Sequence, residues 1–192
     1  SEKLDYYSNT ENTYFFGPTV INGSDYTIFC EKGFYNTKNK NGYFVKKSKI
    51  LYDNRIIKGD SLIFDDKKQY ASGSKNVSII DTINKTIIKG DFGELFKASD
   101  SAMITKNPYA IKIFERDSLF IKADSLFAVG PENNRIVKGR FNVKFIKSNM
   151  SGKSDQFIMN QNTGLIRLLR NDLSKKEEQI LTSKEISKKN PI

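Results

Sequence analysis

The chain has 192 residues, a formal net charge of +10 and 38% hydrophobic residues, of which Phe and Tyr are plentiful. It contains no His, which excludes Ser-His-Asp and Cys-His catalytic pairs and any zinc site that needs an imidazole. The single cysteine, Cys30, excludes an internal disulfide and a cysteine metal cluster, and we expect it to be packed in the interior, as free cysteines usually are.

The first part of the chain changes from polar to apolar at about residue 14. Residues 1–13 are rich in Asn, Ser and Glu, and this composition predicts a loosely held polar leader. Residues 14–21 form the first apolar run, and the turn sequence Asn22-Gly23-Ser24-Asp25 precedes a second one. We therefore predict a leader over 1–13 and a single domain over 14–192.

From there an acidic residue recurs at nearly constant spacing, with steps of 29, 31, 33 and 31 residues. A small residue precedes it and alternating apolar residues follow it. A period near 30 is typical of a stacked array, in which one unit cannot bury its apolar face alone. The five positions are Glu31, Asp60, Asp91, Asp124 and Asp155.

The unit that opens at Asp60 illustrates the predicted plan of every unit. A strand carrying Leu62 and Phe64 is followed by a turn at residues 65–68, a second strand over 70–81 and a further turn at 81–85. Apolar residues alternate with period two, which favours β-strands over helices. We predict an all-β fold with rungs of about 30 residues.

The recurring acid has two interpretations. A carboxylate after a small residue can accept hydrogen bonds in a turn, and Lys58, Lys89 and Lys122 each precede an acid by two residues. Stacked acids could instead bind cations, but carboxylates about 5 Å apart repel each other. Structural charge pairing is favoured, so we predict no metal site and no cofactor.

The basic charge and the C-terminal segment each leave two interpretations open. The lysines are spread through all units, which favours a solvated outer face, although attraction to phosphate-bearing partners is the alternative. Residues 180–186 align with residues 87–93 of the repeat, whereas the Lys/Glu-rich composition of 172–190 is equally compatible with a helix.

An ordered series of segments resembles the OstA-like family of Gram-negative bacteria. The resemblance extends over about residues 14–190. It departs from the family pattern near the C-terminus, where Ser183 replaces the glycine and Lys184 replaces the acid. The segments are YFFGPT at 14–19, IFCEKGFY at 28–35, KGDSL at 58–62, DSAM at 100–103, ADSL at 123–126 and KSNMSGKSD at 147–155.

This resemblance implies a tapered β-jellyroll, a folded-over sheet that is open along one side, in the periplasm. It implies a non-enzymatic protein that binds lipopolysaccharide by its lipid A acyl chains and carries it toward the outer membrane. The implied partners are other OstA-like transport components, joined by end-to-end strand pairing, or further copies of this chain stacked head to tail. Larger relatives continue beyond the end of this chain, so a free-standing carrier and the N-terminal part of an assembly both remain open.

Residues of the same parity on the two strands of each unit are the candidates for lining an apolar groove between the leaves of the sheet. Each buried methylene contributes about 0.8 kcal/mol, so such a groove binds acyl chains without a specific polar contact. For any single residue, simple core packing is the alternative. The twelve candidates are Leu62, Phe64, Val77, Ile79, Leu95, Ile111, Ile113, Leu126, Val143, Phe145, Phe157 and Met159.

Three other classes of function compete with lipid transport. A structural or adhesive β-array with no ligand needs only the repeat. A carbohydrate-binding or carbohydrate-active β-helix would present acid/base side chains on one sheet face, whereas the acids here recur at equivalent places. Nucleic-acid binding is disfavoured, because basic residues are not concentrated in one recognised binding motif.

Overall fold

A computed structural model describes residues 1–148, 150–170 and 178–182 of the chain. Within them lie fifteen β-strands and a short 3-10 helix at Glu132–Asn134, and the strands pair throughout in antiparallel fashion. The strands are β1 Lys3–Tyr7, β2 Asn12–Asn22, β3 Tyr26–Asn36, β4 Asn41–Tyr52, β5 Arg55–Asp65, β6 Tyr70–Asp81, β7 Thr86–Phe96, β8 Ser101–Thr105, β9 Tyr109–Ile113, β10 Ser118–Lys122, β11 Ser125–Val129, β12 Ile136–Lys147, β13 Met150–Asn160, β14 Leu165–Leu169 and β15 Glu178–Thr182.

The sheet is folded over on itself because each long strand bends near its middle. The strand register shifts at each bend, as between Lys58 and Ser61 in β5 and between Ser74 and Val77 in β6. We call this line of bends the spine. Where β8 gives way to β9 and β10 to β11, the bend is instead a break between two short strands. The predicted all-β, folded-over architecture is confirmed.

The spine divides the sheet into two leaves that face each other. Leaf A contains β1, β8, β11, β14 and β15, with residues 12–16, 32–36, 41–45, 61–65, 70–74, 92–96, 136–140 and 156–160 of the long strands. Leaf B contains β9 and β10, with residues 19–22, 26–30, 48–52, 55–59, 77–81, 86–90, 143–147 and 150–154. The hairpin turns of both leaves lie along the opposite side, which we call the mouth.

At every second bend the chain contains residues with positive φ. Asn76 (φ 51°), Asn107 (φ 58°) and Asn142 (φ 50°) each follow another positive-φ residue, and asparagine tolerates this conformation better than most side chains. Two successive left-handed residues reverse the pleat and turn the strand from one leaf into the other. These asparagines are therefore the local signal for the spine.

The recurring acids pair with residues at the same bend of a neighbouring strand. The Nδ2 of Asn76 donates to Oδ2 of Asp60 at 2.8 Å, and Asn142 donates to Asp124 at 2.8 Å. The Nδ2 of Asn107 likewise donates to Asp91 at 3.2 Å, and Glu31 forms an ion pair with Lys47 at 2.8 Å. Their role as structural acceptors agrees with the favoured interpretation. The proposed lysine partners were wrong, because Asn side chains of the next strand reach the carboxylates first.

The small residue before each acid lies on the inner side of the spine, where the two leaves converge. A Cβ added at Gly90 would lie 2.5 Å from Cγ2 of Ile104. Cys30 occupies the equivalent place and is buried, and burial raises the pKa of its thiol to about 11. These positions hold small residues because the interior narrows toward the spine.

One boundary prediction differs from the structure and another agrees with it in part. Residues 3–7 form β1 and pair with β2, so part of the predicted leader belongs to the sheet. Leu4 and Tyr6 are each 53% exposed, so backbone pairing with β2 and not burial of apolar side chains holds this strand. Residues 178–182 form β15 and pair with β14, in agreement with the repeat interpretation. The remainder of the C-terminal prediction, including Ser183 and Lys184, lies outside the described residues.

Candidate functional site

The interior between the leaves is one continuous hydrophobic core. Ten of the twelve candidate lining residues belong to it, and each of the ten is at most 6% exposed. Phe64 of leaf A contacts the rings of Tyr26 and Tyr52 of leaf B, with centroids 4.5 Å and 5.8 Å apart. The side chains of both leaves therefore meet across the interior.

Ile111 and Ile113 do not face this core. Ile111 is half-buried and Ile113 is 42% exposed, whereas Ala110 of the same strand is buried. The prediction of their parity was wrong. In β6 and β12 the first inward residue directly follows the asparagine of the bend, so the inward residues after Asn107 are Pro108 and Ala110. Counting from the asparagine would have corrected the assignment.

The core is closed in this conformation. A cavity of about 10 Å³ lies beside Ile79, Ile88 and Arg135, which is about the space of a single water molecule. An acyl chain fits between the leaves only if the leaves move apart and its methylenes replace contacts between side chains.

A row of charged side chains spans the mouth and connects the two leaves. Nη2 of Arg55 on leaf B lies 3.0 Å from Oδ1 of Asp100 in a leaf A turn. Arg135 of leaf A approaches the same carboxylate at 3.9 Å and Asp81 of leaf B at 3.8 Å. Both guanidinium groups are buried, with Arg135 only 4% exposed.

Lys97 makes a second bridge between the leaves. Its ammonium forms an ion pair with Asp25, lies 3.4 Å from Asp53 and is placed 4.4 Å from the ring centroid of Tyr52. The hydrogen bond from Lys97 lowers the pKa of Asp25, and burial raises the pKa of Tyr52 to about 12.

Neutral side chains complete the closure. Asn54 donates to Oε2 of Glu132 at 2.8 Å, and Gln161 donates to Oγ1 of Thr86 at 2.9 Å. We call the charged and neutral contacts across the mouth, namely those of Asp25, Asp53, Asn54, Arg55, Asp81, Thr86, Lys97, Asp100, Glu132, Arg135 and Gln161, the latch.

A polar cavity of about 480 Å³ lies at the latch. Three cationic and four anionic side chains line it, so its charges compensate one another. The lining of this cavity is therefore not a basic site for capturing phosphate. Nε of Arg135 is buried without a hydrogen-bond partner in the described structure, although the Asp81 carboxylate lies 3.8 Å away.

The latch was not predicted from the sequence, although the sequence contains a signal for it. Arg55, Asp81 and Arg135 occupy inward-facing positions at strand ends, in phase with the apolar residues Ile57, Ile79 and Val137. A charge at an inward position beside a turn predicts a partner on the opposite leaf, but it does not identify that partner.

Neither a metal centre nor a membrane-spanning helix is found in the described part of the chain. Its His, Cys, Asp and Glu side chains form no group of three that could hold a metal ion. The same residues contain no helix long and apolar enough to cross a membrane.

Comparison with solved structures places this geometry among known folds. One solved structure with a similar fold is that of LptH from Pseudomonas aeruginosa, the LptA-homologous periplasmic component of a conserved lipopolysaccharide transport device. The TM-score is 0.55 at 13% sequence identity, over 67% of this chain and 94% of LptH. The chain has an LptH-like fold.

At this identity the likeness to LptH extends to the fold alone. No protein-family model matches the sequence, and no curated protein matches it. The all-β chain thus resembles the LptA β-jellyroll to which LptH belongs, with the latch and the closed core described above.

Proposed function

We propose that the chain is a non-enzymatic carrier that binds lipopolysaccharide by its acyl chains and passes it across the periplasm toward the outer membrane. The observation that carries this proposal is the folded-over sheet, whose two leaves enclose one apolar interior and are joined along the mouth by side chains alone. The fold it shares with LptH, a lipopolysaccharide-transport component, supports the same assignment.

The closed core adds a mechanistic requirement to the proposal. Loading requires the latch to open and the leaves to separate at the mouth while the spine remains intact. Each large core side chain stabilises the closed form by about 1.5–3 kcal/mol, so acyl chains have to replace its contacts as they enter. In this proposal the ten inward candidates, from Leu62 to Met159, contact lipid only in the open form.

The ends of the sheet supply the proposed route for assembly. Among the described residues β1 and β15 each pair with one strand, which leaves backbone groups of their outer edges available for another sheet. We propose that copies of this chain, or other proteins of the same fold, join there end to end.

Site-specific photocrosslinking tests the carrier proposal. A photoreactive phenylalanine analogue is placed at Phe64 or Phe157, which are fully buried, and at Tyr43, which is 47% exposed on the outside of leaf A. In a Gram-negative host we expect crosslinks to lipopolysaccharide at the two inward positions and none at Tyr43. Native mass spectrometry of the purified wild-type chain then detects co-purified glycolipid.

A second experiment tests opening at the mouth. Asn54 and Glu132 are both exposed and lie on opposite leaves of the latch. In the double variant Asn54→Cys with Glu132→Cys, a short bismaleimide joins the two new cysteines, while Cys30 is buried and does not react. We expect the joined protein to lose lipid crosslinking at Phe64 and the unjoined double variant to keep it. Equal crosslinking in both would contradict loading through the mouth.

The closed core also favours a second candidate function, a structural β-array that binds no lipid. In that case the inward side chains serve packing alone. A clean apo mass together with absent crosslinks at Phe64 and Phe157 would favour this array over the carrier.

A further inference from the structure

The outside of leaf B carries two parallel rows of side chains that the proposed function does not use. Residues on neighbouring strands that pair directly point to the same side of a sheet, so the strand register defines each row. One row runs beside the spine and the other beside the mouth. Both cross the strands from β4 to β12, and the first continues onto β13.

The row beside the spine is basic. In strand order it contains six lysines, interrupted only by Ser78 and Tyr109, and it contains no acidic residue. At about 4.8 Å per strand it is about 34 Å long. We call it the lysine ladder: Lys49, Lys58, Lys89, Lys122, Lys144 and Lys153.

The row beside the mouth is apolar on seven successive strands. The outer face of an antiparallel sheet is usually polar, so a continuous apolar row there is unexpected for a surface that faces only water. Phe120 is 49% exposed and Ile146 is 56% exposed, and the other members are half-buried. We call it the isoleucine ladder: Leu51, Ile56, Ile80, Ile87, Ile111, Phe120 and Ile146.

Ion pairing within the fold does not explain the lysine ladder, although Lys49 lies 4.3 Å from the ring centroid of Phe29 and Lys89 lies 6.0 Å from that of Tyr109. Like charges directly opposite each other on neighbouring strands are destabilising, and Lys49 faces Lys58, while Lys122 faces Lys144. Within residues 1–148 and 150–170 the six amines form no ion pair within 4.0 Å. The neighbouring spine carboxylates, such as Asp60, are hydrogen-bonded to asparagine amides instead.

Surface depressions lie at both ends of the lysine ladder, where it meets the spine. One of about 430 Å³ is lined by Lys49 and Lys58, and one of about 320 Å³ by Lys144 and Lys153. Each depression is lined by three basic side chains and one spine carboxylate, Asp60 or Asp155, so its lining carries a net positive charge that favours a phosphate group.

We propose that the outer face of leaf B docks on an anionic phospholipid bilayer. Basic residues beside an apolar strip are the combination with which interfacial segments bind such membranes: the apolar side chains enter the acyl boundary and the amines contact lipid phosphates. The long lysine stems can lie along the apolar surface while their amines reach the head groups.

Other occupants fit the two rows less well. A second copy of the chain would bring its own lysine ladder against this one, on a protein of net charge +10. A nucleic acid would neutralise the lysines but leave the isoleucine ladder in water. The membrane uses both rows, and its docking does not depend on what the interior binds.

Vesicle co-sedimentation of the full chain tests the proposal. The probes are vesicles of phosphatidylcholine alone and of phosphatidylcholine mixed with phosphatidylglycerol. We expect binding to the anionic vesicles that weakens with salt, and little binding to the neutral ones. Lack of binding to the anionic vesicles, or equal binding to both, would overturn the proposal.

Variants separate the two rows. The triple change Lys58→Gln, Lys89→Gln and Lys122→Gln is expected to weaken vesicle binding roughly a hundredfold, since each basic residue near an anionic surface contributes severalfold. The matched control removes the same charge from other places, by Lys38→Gln, Lys67→Gln and Lys138→Gln, and is expected to change binding only slightly.

The apolar row has its own matched pair. Phe120→Ser with Ile146→Ser removes exposed apolar groups from leaf B, and Tyr43→Ser with Ile63→Ser removes groups of similar exposure from leaf A. We expect only the leaf B pair to reduce vesicle binding, with circular dichroism confirming that both variants are folded.

Two outcomes would assign the surface to another partner. Unchanged vesicle binding in the Phe120/Ile146 variant would overturn insertion of the apolar row. If the lysine variant lost binding to a DNA or acidic-peptide probe but kept vesicle binding, the membrane proposal would also be overturned.

Discussion

The spine and the mouth both hold the two leaves together, but they do so by different means. At the spine the backbone itself passes from leaf to leaf, and exposed carboxylates such as Asp60 are paired with Asn76 of the adjoining strand. At the mouth no strand crosses, and the leaves are joined by side chains such as Arg55 and Asp100, which are 45 residues apart. Opening the mouth therefore breaks no hydrogen bond of the sheet. At the spine the leaves cannot separate in this way, because the backbone itself connects them.

This difference predicts where stability depends on single residues. At the spine an Asn–Asp hydrogen bond recurs at three bends, so the loss of one leaves the other two in place. At the mouth two buried arginines share the carboxylate of Asp100, so the loss of this one side chain removes an ion pair from both arginines.

The largest effect is expected for Arg135→Ala. The change removes the guanidinium that lies 3.8 Å from Asp81, whose side chain is 14% exposed, and breaking such a buried pair costs about 3 kcal/mol. The free energy of unfolding from urea denaturation measures it. Arg140→Ala is the control on the same strand, because Arg140 is exposed and stacks on Phe127 for about 1 kcal/mol or less. Equal losses in the two variants would contradict a special role of the latch.

A smaller effect is expected at the spine for Asn76→Ala. The variant loses the hydrogen bond to Asp60 and places alanine at φ 51°, and together these cost about 1.5 kcal/mol. Asn76→Gly loses the same hydrogen bond but relieves the backbone strain, so its stability is expected to lie between that of the wild type and that of Asn76→Ala. If the Asn76→Gly variant were less stable than the Asn76→Ala variant, the backbone explanation of the bend would be contradicted.

The partly exposed end of the latch is expected to contribute less and to depend on pH. Lys97→Met should cost below about 1 kcal/mol at neutral pH, since exposed ion pairs contribute little. The pKa of Asp25 is lowered in the folded state, so its stabilisation is present above the unfolded pKa near 3.8 and is lost as pH falls through the folded pKa.

Urea midpoints of the wild type and of Lys97→Met should therefore converge as the pH is lowered below about 4. Lys67→Met, at an exposed turn on leaf A, serves as the control and should keep a constant offset from the wild type. A gap between the wild type and Lys97→Met that widens in acid would refute the assigned pair.

The spine could be predicted from the sequence far better than the mouth. Alternation and turn residues predicted the strand Tyr70–Asp81 with its observed bounds, because period and turn chemistry are local properties. The acids and the small residues before them could also be recognised, because they recur at every second bend. Only their partners were misassigned, because the asparagine lies on the following strand.

The mouth could not be predicted because its pairs join residues distant in sequence. Asp25 and Lys97 are 72 residues apart, and Asn54 and Glu132 are 78 apart. Which turns meet depends on how the leaves close, and no local pattern encodes it. The same holds for the ladders on leaf B: the lysines look scattered in sequence, and only the strand register aligns them. The error at Ile111 had the same origin, because its parity depends on a break at Asn107 that alternation alone does not reveal.

The smallest effect is expected for Asp60→Asn, and it bears on why the acid recurs at all. The new amide oxygen still accepts the hydrogen bond from Asn76, so unfolding should change by less than about 0.5 kcal/mol. Calcium added to the wild type should leave the melting temperature unchanged, because each spine carboxylate with an assigned partner is bound to a side chain of the chain itself. If calcium raised the melting temperature of the wild type but not of this variant, the acids would form a cation ladder. The spine would then depend on a ligand as the mouth depends on its ion pairs, and the contrast between the two regions would disappear.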